Sequence, residues 1–285
     1  MRKINILCLL LLLVFFIYDY SYSWFISGSY SQFNQFTIDI ESLEDIKISS
    51  DGYNFSSSIN FYDNTKLRCI TSGGINFYYP EFSPQLVNNR YIYELNNLYY
   101  INDDVKDEYY FSKDFFIETS IESDIKFDFS NFNIDTANIV NSNGISCDAL
   151  TGALRISIFQ YDEDDDRWYK RIVIFPNSKY QLNNNTFNYN GNMENKYVFY
   201  NSNSLDNYYY IYTNNNGYQY YNGTYYVFDY SNMNDFSFAS MNGTLNKFKL
   251  VIWLEGTDRE CNNYLMNDTI NDLFLNVSIS LKFDY

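Results

Sequence analysis

The chain has 285 residues, of which 46% are hydrophobic and 21% aromatic; 35 Asp and Glu outnumber 19 Lys and Arg, and histidine is absent. This acidic balance argues against nucleic acid or anionic lipid as a partner, because both are bound through Lys and Arg. Without histidine there is no side chain whose ordinary pKa lies near neutral pH, and there is no His-based zinc site. We therefore expect no cofactor and no enzymatic activity.

The N-terminus has the organisation of an export signal. A positive segment, Met1–Lys3, precedes the unbroken apolar run Ile6–Ile17, and small residues at Ser21 and Ser23 stand at −3 and −1 of a cleavage point before Trp24. The run is shorter than the roughly 20 apolar residues that span a bilayer. Cleavage between Ser23 and Trp24 is thus favoured over a retained anchor, and residues 24–285 are expected to be secreted or held at the cell surface, touching the membrane only through the N-terminal segment.

The first folded element is predicted as a hairpin. Asp45–Ser49 alternates polar and apolar residues, Asp51-Gly52 is a turn signal, and the chain returns through Tyr53–Ile59.

A second hairpin is predicted in the middle of the chain. Ala153–Tyr161 forms its first strand, Trp168–Phe175 returns, and Pro176 ends it. The tip, 162–166, is wholly acidic.

The acidic tip is a calcium candidate through Asp162, Asp164 and Asp166, because oxygen-rich turns can bind Ca²⁺. It lacks the Gly and the closing Glu of an EF-hand loop. The alternative is a solvated turn that discourages edge-to-edge aggregation.

The segment 181–246 is rich in Asn and Tyr. It contains three strand-like pieces separated by Asn-Gly turns, namely Val198–Tyr200, Tyr209–Tyr212 and Tyr225–Phe228. We expect short strands with long loops, the alternative being disorder. The tyrosine run Tyr208, Tyr209 and Tyr210 is the candidate ligand-binding feature, since tyrosine is enriched at interfaces; a solvent-facing sheet surface is the alternative.

Two strands are predicted at the C-terminal end. Phe248–Leu254 reads as a strand buried on both faces, and 273–283 alternates apolar and polar residues as a half-buried strand does. After the first of them, Glu255, Asp258 and Glu260 are a possible carboxylate pair for acid/base chemistry, with capping of a loop as the favoured alternative.

Of the four cysteines, Cys8 lies in the leader, and Cys69, Cys147 and Cys261 would remain in a compartment that permits disulfides. A Cys147–Cys261 bridge with one free thiol is one candidate. Three reduced, buried cysteines are the other, because connectivity cannot be deduced from sequence.

Five segments, in order, resemble the TasA/camelysin-like surface and matrix proteins of low-GC Gram-positive bacteria and their relatives. The junction SYSWF follows the leader, DIKISSDGYNF and RCITSGGINFYYP follow in the first third, ALRIS pairs with IVIFP in the middle hairpin, and VIWLEGTDREC is the most specific match. The Asn/Tyr-rich segment 181–246 has no counterpart in that pattern, and a chain without histidine gives no support to protease activity.

The resemblance implies an all-β fold, a jelly-roll or Ig-like antiparallel β-sandwich, here as one domain over 24–285 with an insertion around 181–246. It also implies a non-enzymatic surface or matrix protein that assembles with copies of itself, or with other envelope proteins, by strand addition. A surface adhesin that binds glycan or protein ligands through its tyrosine-rich loops is the alternative function.

Overall fold

The computed structural model describes residues 31–40, 46–62, 66–72, 75–87, 90–120, 122–136, 153–176, 196–200, 208–212, 218–221, 223–227, 236–241, 245–256 and 274–284. Most of these described residues lie in β-strands, and one 3₁₀ helix, Asp103–Glu108, occurs among them, so the predicted all-β class is confirmed. The export signal, including the Ser23–Trp24 cleavage point, lies outside the described residues. Within them, no helix has the length and apolar character needed to cross a membrane.

Eighteen strands occur in the described ranges. They are β1 Ser31–Ile40, β2 Ile46–Ser49, β3 Ser58–Tyr62, β4 Lys66–Leu67, β5 Cys69–Ser72, β6 Phe77–Val87, β7 Arg90–Tyr100, β8 Phe111–Thr119, β9 Ser123–Thr136, β10 Leu154–Asp162, β11 Arg167–Ile174, β12 Lys196–Tyr200, β13 Tyr208–Tyr212, β14 Tyr218–Tyr221, β15 Thr224–Val227, β16 Phe236–Met241, β17 Leu245–Glu255 and β18 Phe274–Asp284.

These strands form two large sheets and one small one. The ten-stranded sheet has the order β14-β15-β11-β10-β17-β5-β6-β7, with β8 also pairing with β17, and β2 pairing with β8. The six-stranded sheet has the order β16-β9-β18-β1-β3, with β4 pairing at the start of β1. Among the described strands, β12 and β13 pair only with each other.

The sheets are mixed, which corrects the expectation of a purely antiparallel arrangement. Three described pairs run parallel: β1 with β18, β11 with β15, and β17 with β5. Parallel neighbours need a long connection between them, and each of these pairs joins strands that are far apart in sequence. Alternation and turn signals report local hairpins, so such long-range pairings have no signal in the sequence.

The two large sheets face each other across a first core of aliphatic and phenylalanine side chains. Phe36 of β1 stacks on Phe111 of β8 with ring centroids 6.4 Å apart, and Phe115 stacks on Phe248 at 5.4 Å. The buried members include Ile38, Ile48, Ile117, Phe127, Leu154, Ile156, Leu250, Ile252, Leu254, Val277, Ile279 and Leu281.

A second core covers the opposite face of the ten-stranded sheet. It holds amphipathic rings as well as aliphatic groups: Trp253 lies edge-on to Phe77 at 5.3 Å, and Phe77 stacks on Tyr110 at 4.3 Å. Because both faces of the central strands are covered, successive residues of β10 and β17 are buried. The prediction that 248–254 lies buried on both faces is confirmed for most of its residues, Lys249 alone being half-buried.

Two further strand predictions are confirmed. The middle hairpin is confirmed as β10 and β11, paired antiparallel from Ile156–Ile174 to Asp162–Arg167. The half-buried C-terminal strand is confirmed as β18, whose Val277, Ile279 and Leu281 are at most 1% exposed.

The first predicted hairpin is wrong beyond its turn. Gly52 does adopt a positive φ of 76°, but β2 pairs with β8 in one sheet and β3 pairs with β1 in the other, leaving a single bridge between Ile48 and Ser56. The Asp51 carboxylate accepts hydrogen bonds from the backbone N–H groups of Tyr53 and Asn54, both at 2.8 Å. These donors lower the pKa of Asp51. Since the turn satisfies its own backbone groups, the two strands are free to separate into different sheets.

Candidate functional site

The first candidate for a functional element is strand β1. It lies inside the six-stranded sheet although it is the first described segment of the chain. On one side it pairs in parallel with β18, from Gln32–Phe274 to Ile40–Leu281. On the other side it pairs antiparallel with β3, from Gln35–Tyr62 to Asp39–Ser58. An N-terminal segment therefore fills a slot between two strands that come from much later and slightly later in the chain.

The two faces of β1 differ as its sequence, Gln-Phe-Thr-Ile-Asp-Ile, requires. Phe36, Ile38 and Ile40 are at most 5% exposed and belong to the first core. On the other face, the Thr37 hydroxyl donates to Oδ1 of Asn60 at 2.6 Å, and Asn60 also accepts from Gln35 at 3.3 Å. Burial of the apolar face thus stabilises β1 between its two neighbours, and the hydrogen bonds of the polar face help to fix its register against β3.

A buried polar cluster in the second core is the second candidate. The Lys170 ammonium donates to Oγ of Ser72 at 2.7 Å and lies 5.4 Å from the ring centre of Phe159. Desolvation lowers the pKa of Lys170 to about 7, and the negative charge of Glu255 opposes that shift. Its proton is therefore held weakly.

Glu255 and Arg155 complete this cluster, each about 1% exposed. The indole Nε1 of Trp253 donates to Oε2 of Glu255 at 3.1 Å, and the Arg155 guanidinium lies 4.2 Å from the centre of the Phe175 ring. Glu255 is the last residue of β17 and is buried, and its expected role in capping the loop that follows stays a prediction. Asp258 and Glu260, its suggested partners in acid/base chemistry, lie outside the described residues.

Sequence reasoning missed this cluster as a unit. The available signal was a charge placed inside a strand otherwise apolar on both faces, as Arg155 is in β10. A buried charge needs a partner. The position of Arg155 in the sequence therefore implied that partner groups exist, but it did not show which residues they are. Glu255 stands at a strand end, where a charge is ordinarily solvated, and Lys170 lies in the middle of β11 next to another charge, Arg171, so neither residue gave such a signal.

In the acidic tip between β10 and β11, the carboxylates of Asp162, Asp165 and Asp166 contact the backbone or side chains of the hairpin itself. Oδ1 of Asp162 accepts from the backbone N–H groups of Asp164 at 3.0 Å and Asp165 at 3.2 Å. Asp166 accepts from the hydroxyl of Tyr161. Among the residues that the structure describes, no group of three or more His, Cys, Asp or Glu side chains is placed to hold a metal ion. Calcium binding at Asp162, Asp164 and Asp166 stays a prediction.

The same tip carries a small ionic network at its exit. The Asp165 carboxylate accepts from the hydroxyl of Tyr169 and pairs with the Arg167 guanidinium at 3.0 Å. The tyrosine hydrogen bond first, then the Arg167 charge, lowers the pKa of Asp165. These contacts order an exposed turn, as the solvated-turn alternative requires.

The remaining predicted sites are placed as follows. Tyr208, Tyr209 and Tyr210 lie in β13, paired with Tyr200, Phe199 and Val198 of β12. The strand-like pieces predicted in this segment are confirmed, and ligand binding by the three tyrosines stays a prediction.

Cys69, in β5, is disulfide-bonded. The chain's other cysteines, Cys8, Cys147 and Cys261, lie outside the described residues. A disulfide at Cys69 agrees with neither candidate as stated, because a Cys147–Cys261 bridge leaves Cys69 as the free thiol and the other candidate leaves all three cysteines reduced.

The chain matches no protein-family model, no curated protein and no solved structure. The TasA/camelysin-like resemblance therefore rests on the five sequence segments alone.

Proposed function

We propose that this chain is an exported, non-enzymatic surface or matrix protein, with a jelly-roll-like sandwich fold, that assembles by exchanging β1 between copies. The observation that carries the proposal is the position of β1. It is the first described strand, yet it fills an interior slot between β18 and β3, and its pairing with β18 is parallel. In the exchanged form, β1 of one copy occupies that slot in the next.

The contacts of β1 suit such an exchange. Burying Phe36, Ile38 and Ile40 stabilises the occupied slot by about 5 to 9 kcal/mol in total, taking the usual gain for each large apolar side chain. The donor makes the same contacts in its own slot or in a neighbour's, so the balance depends on protein concentration and on the connection at 41–45. A contact in which each copy donates β1 to the next copy is heterologous, and it propagates into open chains where the rotation between copies does not close a ring.

The net charge of −16 and the predicted export agree with this role. Like-charged copies repel one another at long range, and this repulsion is screened by salt. Assembly driven by an apolar strand is therefore expected to be favoured at higher ionic strength, where the repulsion is weakest.

The proposal is tested by cross-linking between different copies. Thr37 and Ser278 are partners in the β1–β18 register and both are half-buried. One preparation of the protein from Trp24 onward carries Thr37→Cys, and another carries Ser278→Cys. Mixed and concentrated, then oxidised, they are expected to give a disulfide-linked dimer, because a bond between the two new cysteines requires exchange.

The matched control replaces Thr37→Cys by Tyr53→Cys, at an exposed turn residue that is not a partner of β18. The unsubstituted protein gives the background from the native cysteines. The proposal fails if the mixture gives no more dimer than the control and the protein carrying both Thr37→Cys and Ser278→Cys forms only an internal bridge at every concentration.

A further inference from the structure

A polar groove of about 570 Å³ lies where the end of the β10–β11 hairpin meets β14–β15, β16 and the start of β17. It contains neither the β1 slot nor the Lys170 cluster. Its walls belong to both large sheets, so their packing fixes its width.

One wall of the groove is aromatic. Tyr220 and Tyr225 are direct partners across the β14–β15 hairpin, with ring centres 4.5 Å apart. Tyr225 packs in part against the first core, which holds the pair in place, while Tyr220 is 58% exposed. The exposed Tyr220 ring is therefore held in place by Tyr225. The Tyr220 ring offers an apolar surface with a hydroxyl group at its edge.

The floor is a pair of polar side chains held in fixed orientation. Nε of Arg171 donates to Oε1 of Gln160 at 2.9 Å, and Nε2 of Gln160 donates to the backbone oxygen of Ser240 at 2.8 Å. The terminal nitrogens of Arg171 donate no hydrogen bond to any residue that the structure describes. These donors are positioned and available in a partly enclosed groove.

The charges of the rim narrow the class of ligand. Asp162, Glu163 and Asp164 line one side, and Lys247, which pairs with Asp114 at 2.9 Å, lines the other. The carboxylates repel an anion, and the polar floor gives no place for an apolar chain. A molecule with many hydroxyl groups and an apolar ring face satisfies the donors, the acceptors and the tyrosine wall together.

We propose that this groove binds a neutral carbohydrate chain, with Tyr220 stacking on a sugar ring and Arg171 donating to its hydroxyl groups. This activity is independent of strand exchange and differs in place from the Tyr208–Tyr210 run.

The test is a calorimetric titration of the protein from Trp24 onward with soluble cellohexaose, maltohexaose, mannohexaose and N-acetylchitohexaose. At least one is expected to bind, and Tyr220→Ala and Arg171→Met are each expected to weaken that binding by about tenfold or more, the effect of losing one good contact. The matched control is Tyr53→Ala, at a tyrosine 88% exposed on a different turn, which should leave the affinity unchanged. Unfolding midpoints equal to that of the unsubstituted protein show that the variants fold.

Three results overturn the proposal. They are no binding by any of the four sugars, binding that Tyr220→Ala weakens no more than Tyr53→Ala does, and binding confined to an anionic polymer such as heparin.

Discussion

The first and second cores cover opposite faces of the same ten-stranded sheet but differ in chemistry. The fully buried members of the first core are Phe, Ile, Leu, Val, Ala and Met. The second adds Tyr110, Tyr226 and Trp253, and Lys170, Arg155 and Glu255 are buried beside it. Apolar burial alone accounts for the first core, whereas the second also depends on charges held away from water.

The largest effect is expected from a substitution in the second core, and it tests whether that face of the ten-stranded sheet is tightly packed. Trp253→Ala removes the indole from contact with Phe77 and also deprives Glu255 of a donor. We expect a loss of about 3 to 5 kcal/mol in the free energy of unfolding, measured by urea denaturation. Phe248→Ala, on the same strand but in the first core, is the matched variant with a similar expected loss. A loss below about 1 kcal/mol for Trp253→Ala alone would show that the second face is only loosely covered.

The next prediction concerns the charge itself. The pKa of Lys170 is lowered to about 7 in the folded chain, while an unfolded lysine titrates near 10.4. Between these values the unfolded chain binds more protons, so the contribution of Lys170 to stability rises with pH. Below pH 7 the cost of burying the ammonium is present in full.

From pH 7 to pH 9 the unsubstituted protein is therefore expected to gain about 2 kcal/mol over Lys170→Met in the free energy of unfolding. Every other titrating group is present in both proteins, so its contribution cancels in the difference between their free energies of unfolding. Glu255 and Arg155 are the charged groups lining the same cluster. Parallel pH profiles for the two proteins would mean that Lys170 stays charged or solvated in the folded state.

A smaller effect is expected at the edge of the second face. A Cβ added at Gly256 would lie 2.7 Å from Cγ of Pro80 and 2.9 Å from the backbone carbon of Cys69. Gly256→Ala should cost at least about 1 kcal/mol through this overlap. Combining it with Pro80→Ala should recover part of the loss in a double-mutant cycle. If the losses in stability from Gly256→Ala and Pro80→Ala were strictly additive, the strain would not come from contact between these two residues.

The sequence predicted the parts of the fold that local patterns report. Alternation identified β18, the apolar run identified β17, and the turn residues identified the β10–β11 hairpin. Strand β1 was missed, although Phe36, Ile38 and Ile40 alternate, because its partners lie in β18 and β3. Pairing over such distances is decided by the packing of the whole sheet.

The candidate sites were less predictable for the same reason. Gln160, Arg171 and Tyr220 come from three separate strands, and only the topology of the ten-stranded sheet brings them to one groove. The acidic tip was visible because its residues are consecutive. Asp162, however, accepts hydrogen bonds from the backbone of the tip, and Asp165 and Asp166 accept from tyrosine hydroxyls.

The parallel pairing of β1 with β18 has a mechanical consequence. Gln32 pairs with Phe274 at one end of the seam and Ile40 with Leu281 at the other, so Ser31 and Asp284 lie roughly 30 Å apart along the strand direction. Tension applied at those two residues pulls the strands past each other and loads every hydrogen bond of the seam at once. An antiparallel pair held at neighbouring ends would instead peel apart one bond at a time. The seam is therefore oriented to resist stretching along its own length.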